Sequence, residues 1–392
     1  MYDHIRGDVL FIMLYAAVTA LAFVASIYLL LRRGNAFAAD ITPPLRLRRW
    51  AAVFFAALAL NHVWYMPIFF LSSSEAIKMT DLIGGLLDCM TLFPLAIILL
   101  LTMLQDRRRP LWPVALMMAP IIAGSAFSVA TRSYALLPAV YVYFLLMCIG
   151  LIINMVHALR QYDRWLCDNY ADLEHKEVWQ SFVVLAMVLL MFSIYAFTSE
   201  GPFYQYAMQL ILVVFICYFL WRVETLSDLS IPVNEEEEAQ ENRMEALITR
   251  TMDQAASPHD APHDPPLTFR NNIGPLLKKY CEEPQRYLQH DISVTQLARQ
   301  VGINRSYLSK HFASQGITYN AYINGLRIQH FINLYHESAA AHQPVTAQQL
   351  AYQSGFRSYN TFSVAFKRIM GMTATEWMRH IEEQQQGIVD DS

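Results

Sequence analysis

Residues 1–222 contain seven runs of about twenty apolar residues, at 9–31, 50–71, 82–104, 111–130, 135–157, 178–198 and 203–222. A hydrocarbon core about 30 Å thick is crossed by about twenty helical residues rising 1.5 Å each. Lipid offers no partner to a backbone N–H or C=O, so each run has to satisfy its own hydrogen bonds as a helix. More than half of the chain is therefore constrained to one class: all-α, opening with a seven-helix transmembrane bundle.

The charges follow the same division. Only 16% of the 392 residues are charged, against about 25% in an ordinary soluble domain. Residues 1–222 carry 15 Lys/Arg and 13 Asp/Glu, grouped between the apolar runs, whereas 223–392 carry 14 and 20. The net charge of −4 thus splits into +2 and −6, a membrane half joined to a water-soluble half. This pattern excludes a disordered chain and a single soluble globule. The first run resembles a cleaved leader at Ala36–Phe37–Ala38–Ala39. Its flank (Asp3, Arg6, Asp8) is not net positive and the run is too long, so it is read as a retained anchor. The five cysteines (Cys89, Cys148, Cys167, Cys217, Cys281) show no paired spacing and are expected as free thiols.

Orientation follows from the Lys/Arg bias of the short loops. Loops 32–49, 105–110 and 158–177 hold eleven (Arg32, Arg33, Arg46, Arg48, Arg49; Arg107, Arg108, Arg109; Arg160, Arg164, Lys176), and the alternate set holds three (Arg6, Lys78, Arg132). The N-terminus is expected outside and the C-terminal half in the cytoplasm of a bacterial inner-membrane, multi-pass protein in contact with lipid. The outer loops are too short for a ligand-binding domain, so any signal is expected within the bilayer, at its outer lip, or from a membrane partner.

Polar side chains inside a span are costly and mark function by default. Asn61, His62 and Tyr65 on the second run and Asp88 on the third lie at similar depth. They are the candidates for intramembrane sensing, with interhelical hydrogen bonding that only holds the bundle as the alternative. Gly84–Gly85 and Pro67, Pro94, Pro120 and Pro138 are expected to mark close packing or kinks.

Residues 223–266 form an acidic linker with 11 Asp/Glu and two Lys/Arg. Met244, Leu247, Ile248 and Met252 predict a short amphipathic helix over about 236–255. Ser257–Pro266 follows with four prolines, a semi-stiff tether. Its His–Asp pairs read as polar linker rather than as a metal site.

Residues 267–380 reverse the charge, with 12 Lys/Arg against five Asp/Glu, and a local basic excess points to a polyanion. Val294–Val301 has helical apolar spacing and stops at Gly302; Asn304 then caps a helix running to about Gly316. In it Leu308 and Phe312 face inward and Arg305, Ser306, Ser309 and Lys310 outward. The pattern recurs. Val345–Phe356 mirrors the first helix and turn, and Ser358 caps Tyr359–Arg368. Leu-Ala stands five and four residues before the glycine in both copies (Leu297–Ala298 before Gly302, Leu350–Ala351 before Gly355). A long helix over about 318–338 joins the two helix-turn-helix units. An acidic tail, 381–392, ends the chain.

This stretch resembles the DNA-binding domain of the AraC/XylS family. The residues that carry the resemblance are Asn304–Lys310, Ile323–Ile328, Gly355–Phe356, Phe366–Lys367 and Gly371–Thr373. The arrangement of spans followed by this domain is similar to membrane-anchored regulators of Bacteroidetes-type bacteria. The resemblance implies two recognition helices in successive major-groove segments of double-stranded DNA. Arg305, Ser306, Ser309 and Lys310 would lie at the first. Tyr359, Asn360, Ser363 and Val364 would lie at the second, with Lys367 and Arg368 on phosphates and Arg327 structural. The family pattern has Pro where this chain has Ala374 and a polar or basic residue near Val364. The second unit is therefore expected to give more to backbone contact or an activation surface.

No nucleophile, catalytic dyad, metal cluster or phosphate loop is present in the sequence, so neither an enzyme nor a cofactor is expected. The reading is a membrane-anchored one-component transcription regulator. Its expected partners are DNA, RNA polymerase, a second copy of the chain, and an unknown signal or membrane protein. The alternative is a receptor or transporter whose cytoplasmic tail binds protein partners.

Overall fold

The computed structural model describes residues 8–32, 35–38, 41–184, 186–187, 202–229, 273–341 and 343–390. Among them every regular element is helical; the sole β feature is one antiparallel bridge between Tyr170 and Ser293. The chain divides into two compact units. The first comprises 1–162 and 175–233, the second 163–174 and 234–392.

In the first unit, helices α1 (Val9–Leu31), α2 (Leu45–Tyr65), α3 (Ser74–Met90), α4 (Leu92–Met103), α5 (Trp112–Thr131), α6 (Leu137–Asn169, whose last residues belong to the second unit) and α7 (Pro202–Thr225) follow one another. Among the described residues, six helical stretches are long and apolar enough to cross a membrane: Val9–Leu31, Leu45–Phe69, Ser74–Met103, Trp112–Thr131, Leu137–Asn169 and Gln205–Thr225. Residues 179–184 are helical, but most of the expected run at 178–198 lies outside the described residues. So do the expected helix at 236–255 and the proline-rich tether.

Several boundaries differ from the sequence reading, each for a local reason. The second run starts at Leu45 rather than 50, directly after Pro43–Pro44, so Arg46, Arg48 and Arg49 are helical rather than in a loop. It ends in a 3-10 turn at Met66–Phe69 around Pro67. The third run begins eight residues earlier, because the polar stretch from Ser74 to Asp81 is helical too. It breaks at Thr91 (φ −123°, ψ −69°), where Pro94 lacks the N–H that would bond to Met90 and its ring crowds that carbonyl. The fifth run extends to Asn169 and carries Arg160 and Arg164 on helix. Hydropathy marks where apolar sequence ends; it does not mark where helical hydrogen bonding ends.

α1 packs on α2 and α7, α2 on α4, and α3 on α5. Small residues allow the close approaches: Ala22, Ala25 and Ser26 of α1 are buried with Ala51 and Ala52 of α2, and Ser26 Oγ donates to the Ala52 carbonyl at 2.8 Å. Of the paired glycines, only Gly84 is needed for space. A Cβ there would lie 2.5 Å from the Tyr65 ring, whereas Gly85 has nothing within 4 Å. Arg48 and Glu224 form a buried ion pair at 3.0 Å, and Arg48 also donates to the Arg32 carbonyl at 2.6 Å. Removing one partner strands the other charge. Glu224→Ala is therefore expected to destabilise the bundle by about 3–5 kcal/mol, read as a lowered midpoint of thermal unfolding in detergent.

In the second unit, α8 (Ile273–Leu277) runs into a π-helical turn at Lys278–Glu282, and a 3-10 turn occupies Arg286–Leu288. Then come α9 (Val294–Val301), α10 (Arg305–Ser314), α11 (Tyr319–Ala340), α12 (Ala347–Gln353), α13 (Tyr359–Met370) and α14 (Ala374–Asp390). Two cores form, and α11 is the spine of both. Its Tyr319 and Ile323 pack with Leu297, Ala298, Val301, Leu308 and Phe312. Its Ile328, Phe331 and Tyr335 pack with Leu350, Ala351, Phe356, Phe362, Phe366 and Trp377. The repeated Leu-Ala is thus the inward face of α9 and of α12.

Reciprocal caps start the helices. Ser293 and Gln296 open α9, Thr346 and Gln349 open α12, and Thr373 and Glu376 open α14. In α14 the cap explains why Ala374 serves where the resemblance leads one to expect Pro. It is the first helical position, where proline is merely convenient, and the capping pair already fixes the start. α14 runs on through the acidic residues after 381 to Asp390.

Candidate functional site

The two helix pairs place their second helices alike. α9 ends at Gly302 (φ 76°), and Asn304 caps α10 through its side chain to the Ser306 N–H at 2.7 Å. α12 is followed by Gly355 (φ 86°), and Ser358 caps α13 by accepting from the Thr361 N–H at 3.3 Å. Glycine relieves the cost of a left-handed turn in both. At Gly355 it also allows contact, since a Cβ would lie 2.6 Å from Leu288 Cα.

On α10, Arg305, Ser306 and Lys310 are exposed and Ser309 is half-buried, while Leu308 and Phe312 anchor the helix. On α13, Asn360, Val364, Lys367 and Arg368 are exposed and Ser363 is half-buried. Tyr359 is also half-buried, its ring against Phe362 at 5.7 Å. Two cations are already engaged. Arg305 donates to Asn169 Oδ1, and Arg368 donates to Asn320 Oδ1 at 3.3 Å. Neither contact has a signal in the sequence of the helices themselves.

Arg327 is fully buried. It donates to the Tyr287, Gln289 and His290 carbonyls at 2.7, 2.7 and 3.2 Å, and its guanidinium lies over the Phe356 ring at 5.5 Å. It therefore ties α11 to the 286–290 segment and to the turn before α13. Burial lowers its pKa to about 10, opposed chiefly by the Asp172 carboxylate, so it stays charged at neutral pH.

In the first unit, the polar residues of α2 and α3 meet only in part. Asp88 accepts from Asn61 Nδ2 at 2.6 Å, Trp64 Nε1 at 3.2 Å and Tyr65 OH at 3.0 Å. His62 turns away, its Nε2 3.2 Å from Gln209 Oε1 and its Nδ1 3.0 Å from the Leu58 carbonyl. Neighbouring residues on a helix point about 100° apart, whereas Asn61, Trp64 and Tyr65 at i, i+3 and i+4 share a face. That spacing marks Trp64, and a polar side chain within an apolar run marks Gln209.

Residues 297–380 match the family described as helix-turn-helix domain. The chain is similar to the HTH-type transcriptional activator RhaR of Salmonella schwarzengrund (strain CVM19633) and of Salmonella heidelberg (strain SL476), 31% identical over 125 residues. That alignment covers 32% of this chain and 41% of each relative, so the chain spans about two fifths of the length of the curated relatives it matches. No solved structure matches it. The family match falls within the second unit, and both findings support a DNA-binding transcription regulator of the AraC/XylS type.

Proposed function

We propose that the chain is a membrane-anchored transcription regulator. In this reading residues 1–222 form a seven-span bundle in a bacterial inner membrane, with the N-terminus outside. Residues 223–266 are a linker, and 267–380 bind double-stranded DNA in the cytoplasm. The observation that carries it is the repeated pair of capped helices with matching cores, each displaying polar and basic side chains on its second helix.

Arg305, Ser306, Ser309 and Lys310 read or hold one major-groove segment. Asn360 is suited to adenine, and exposed Val364 to a thymine methyl. Lys367 is suited to phosphate, and so is Arg368 once it leaves Asn320. The relatives' name, transcriptional activator, supports a regulatory outcome. RNA polymerase and a second copy of the chain are the protein partners this reading calls for. The polar cluster around Asp88, with His62 and Gln209 beside it, is where the bundle would register its signal.

Genome-wide crosslinking occupancy of the full-length protein in its native cell tests this. Sharp sites with a two-part motif spaced near one helical turn are the expected result. Membrane localisation without enrichment at any site would favour a tail that binds protein partners.

A further inference from the structure

The second unit contains a segment that is not part of the helix pairs. Residues 163–174, the end of α6 and the stretch after it, pack on them. Tyr170 bridges antiparallel to Ser293, and the Ala171 N–H donates to the Ile292 carbonyl at 3.3 Å. Asn320 Nδ2 donates to the Ala171 carbonyl at 2.7 Å and reaches the Tyr170 carbonyl at 3.4 Å. Ala171 is fully buried in the core that holds Leu297, Phe312 and Ile323. Asp172 is buried as well and acts electrostatically on Arg327.

Anchoring of this kind would serve a purely structural segment equally. What goes beyond it is where the preceding residues lie. Asn169 takes the Arg305 guanidinium. Asp168 lines a cleft of about 250 Å³ with Ser309 and Lys310 of α10. Three of the four α10 residues suited to the major groove therefore face this segment. Its charge is complementary: Asp163, Asp168, Asp172 and Glu174 against a single Arg164, set on a domain with seven more basic than acidic side chains. DNA offers the same α10 face the same sign of charge, and the two cannot occupy Arg305 together.

We propose that residues 163–174 are an acidic clasp, an internal ligand of the first recognition helix that competes with DNA for it; this rests on the DNA-binding reading above. The clasp ends α6, so a shift of that helix that withdraws Asn169 frees Arg305. The equilibrium between clasped and open forms sets the apparent DNA affinity, which falls by the fraction of open molecules.

The test uses the full chain in lipid nanodiscs with its five cysteines replaced and Tyr170→Cys and Ser293→Cys introduced. Directly opposed residues of an antiparallel bridge lie within reach of a disulfide. A pool of random-sequence duplexes is the probe, and retained DNA is read at fixed salt. The oxidised, locked protein is expected to retain at least about tenfold less DNA than the same protein reduced. A release variant, Asp168→Ala with Asn169→Ala, is expected to retain more than the unsubstituted chain. Equal retention by locked and reduced protein overturns the clasp while leaving DNA binding intact. No retention by either the reduced protein or the release variant overturns the DNA-binding reading, and the clasp with it.

Discussion

Gly355→Ala is expected to destabilise the second helix pair by about 3–5 kcal/mol, whereas Gly302→Ala, at the equivalent turn, costs only about 1 kcal/mol. Both glycines sit at positive φ, 86° and 76°, so both substitutions meet the strain that a left-handed backbone imposes on an L side chain. They differ in what surrounds them. A Cβ at Gly302 would find nothing within 4 Å, but at Gly355 it would meet Leu288 Cα at 2.6 Å and the Leu288 carbonyl oxygen at 2.7 Å. Those are backbone atoms, and the backbone there is fixed by Arg327 on the neighbouring Tyr287 carbonyl and by His290 Nδ1, 3.0 Å from the Gly355 carbonyl. Relief would require pulling this segment from the turn and leaving Arg327 without its carbonyls. Hydrogen exchange on the full-length protein checks this. Exchange from α12 and α13 should rise by about 10²–10³-fold in Gly355→Ala and by about tenfold or less from α9 and α10 in Gly302→Ala. Equal responses would contradict the close approach at Leu288.

The same pair of glycines shows what was legible in the sequence. The repeat of Leu-Ala, glycine and a capped second helix locates both helix pairs, because each residue type there answers a local demand: an inward face, a left-handed stop, an orphan N–H. Which glycine is crowded is not legible, since Leu288 lies 67 positions away. The apolar half follows the same rule. Apolar runs announce helices, but Pro44, Pro94 and the polar start of α3 set where they begin and break. The polar residues of α2 were visible; that Asn61, Trp64 and Tyr65 share Asp88 while His62 takes Gln209 depends on helix rotation. The acidic segment at 163–174 reads as an ordinary loop until its partner, 120 residues or more along the chain, is known.

Replacing Arg305 and Lys310 together by Ala is expected to weaken site-specific binding while leaving the fold intact. Both side chains are exposed, and neither contributes to the cores that hold α10, which rest on Leu308 and Phe312. The substitution also has an opposing effect, since losing the Arg305–Asn169 hydrogen bond weakens the clasp. The two contributions differ in size. Freeing the clasp raises the open fraction by about tenfold at most. Losing one bidentate base contact costs about 1–3 kcal/mol, and losing a further cation on the phosphates lowers the salt slope by about one. Together they lower the intrinsic affinity at the preferred sequence by about 30- to 1,000-fold, so even against a tenfold gain in open molecules the observed affinity falls by about 3- to 100-fold. The measurement is a titration of the full-length protein in nanodiscs, at several salt concentrations, against the sequence it enriches from a random duplex pool. Lys310→Ala alone separates the contributions, because it lowers the salt slope and leaves Asn169 its Arg305 partner. Unchanged affinity and an unchanged slope in the double variant would remove α10 from the DNA interface and leave α13, with Asn360 and Lys367, as the helix that reads the site.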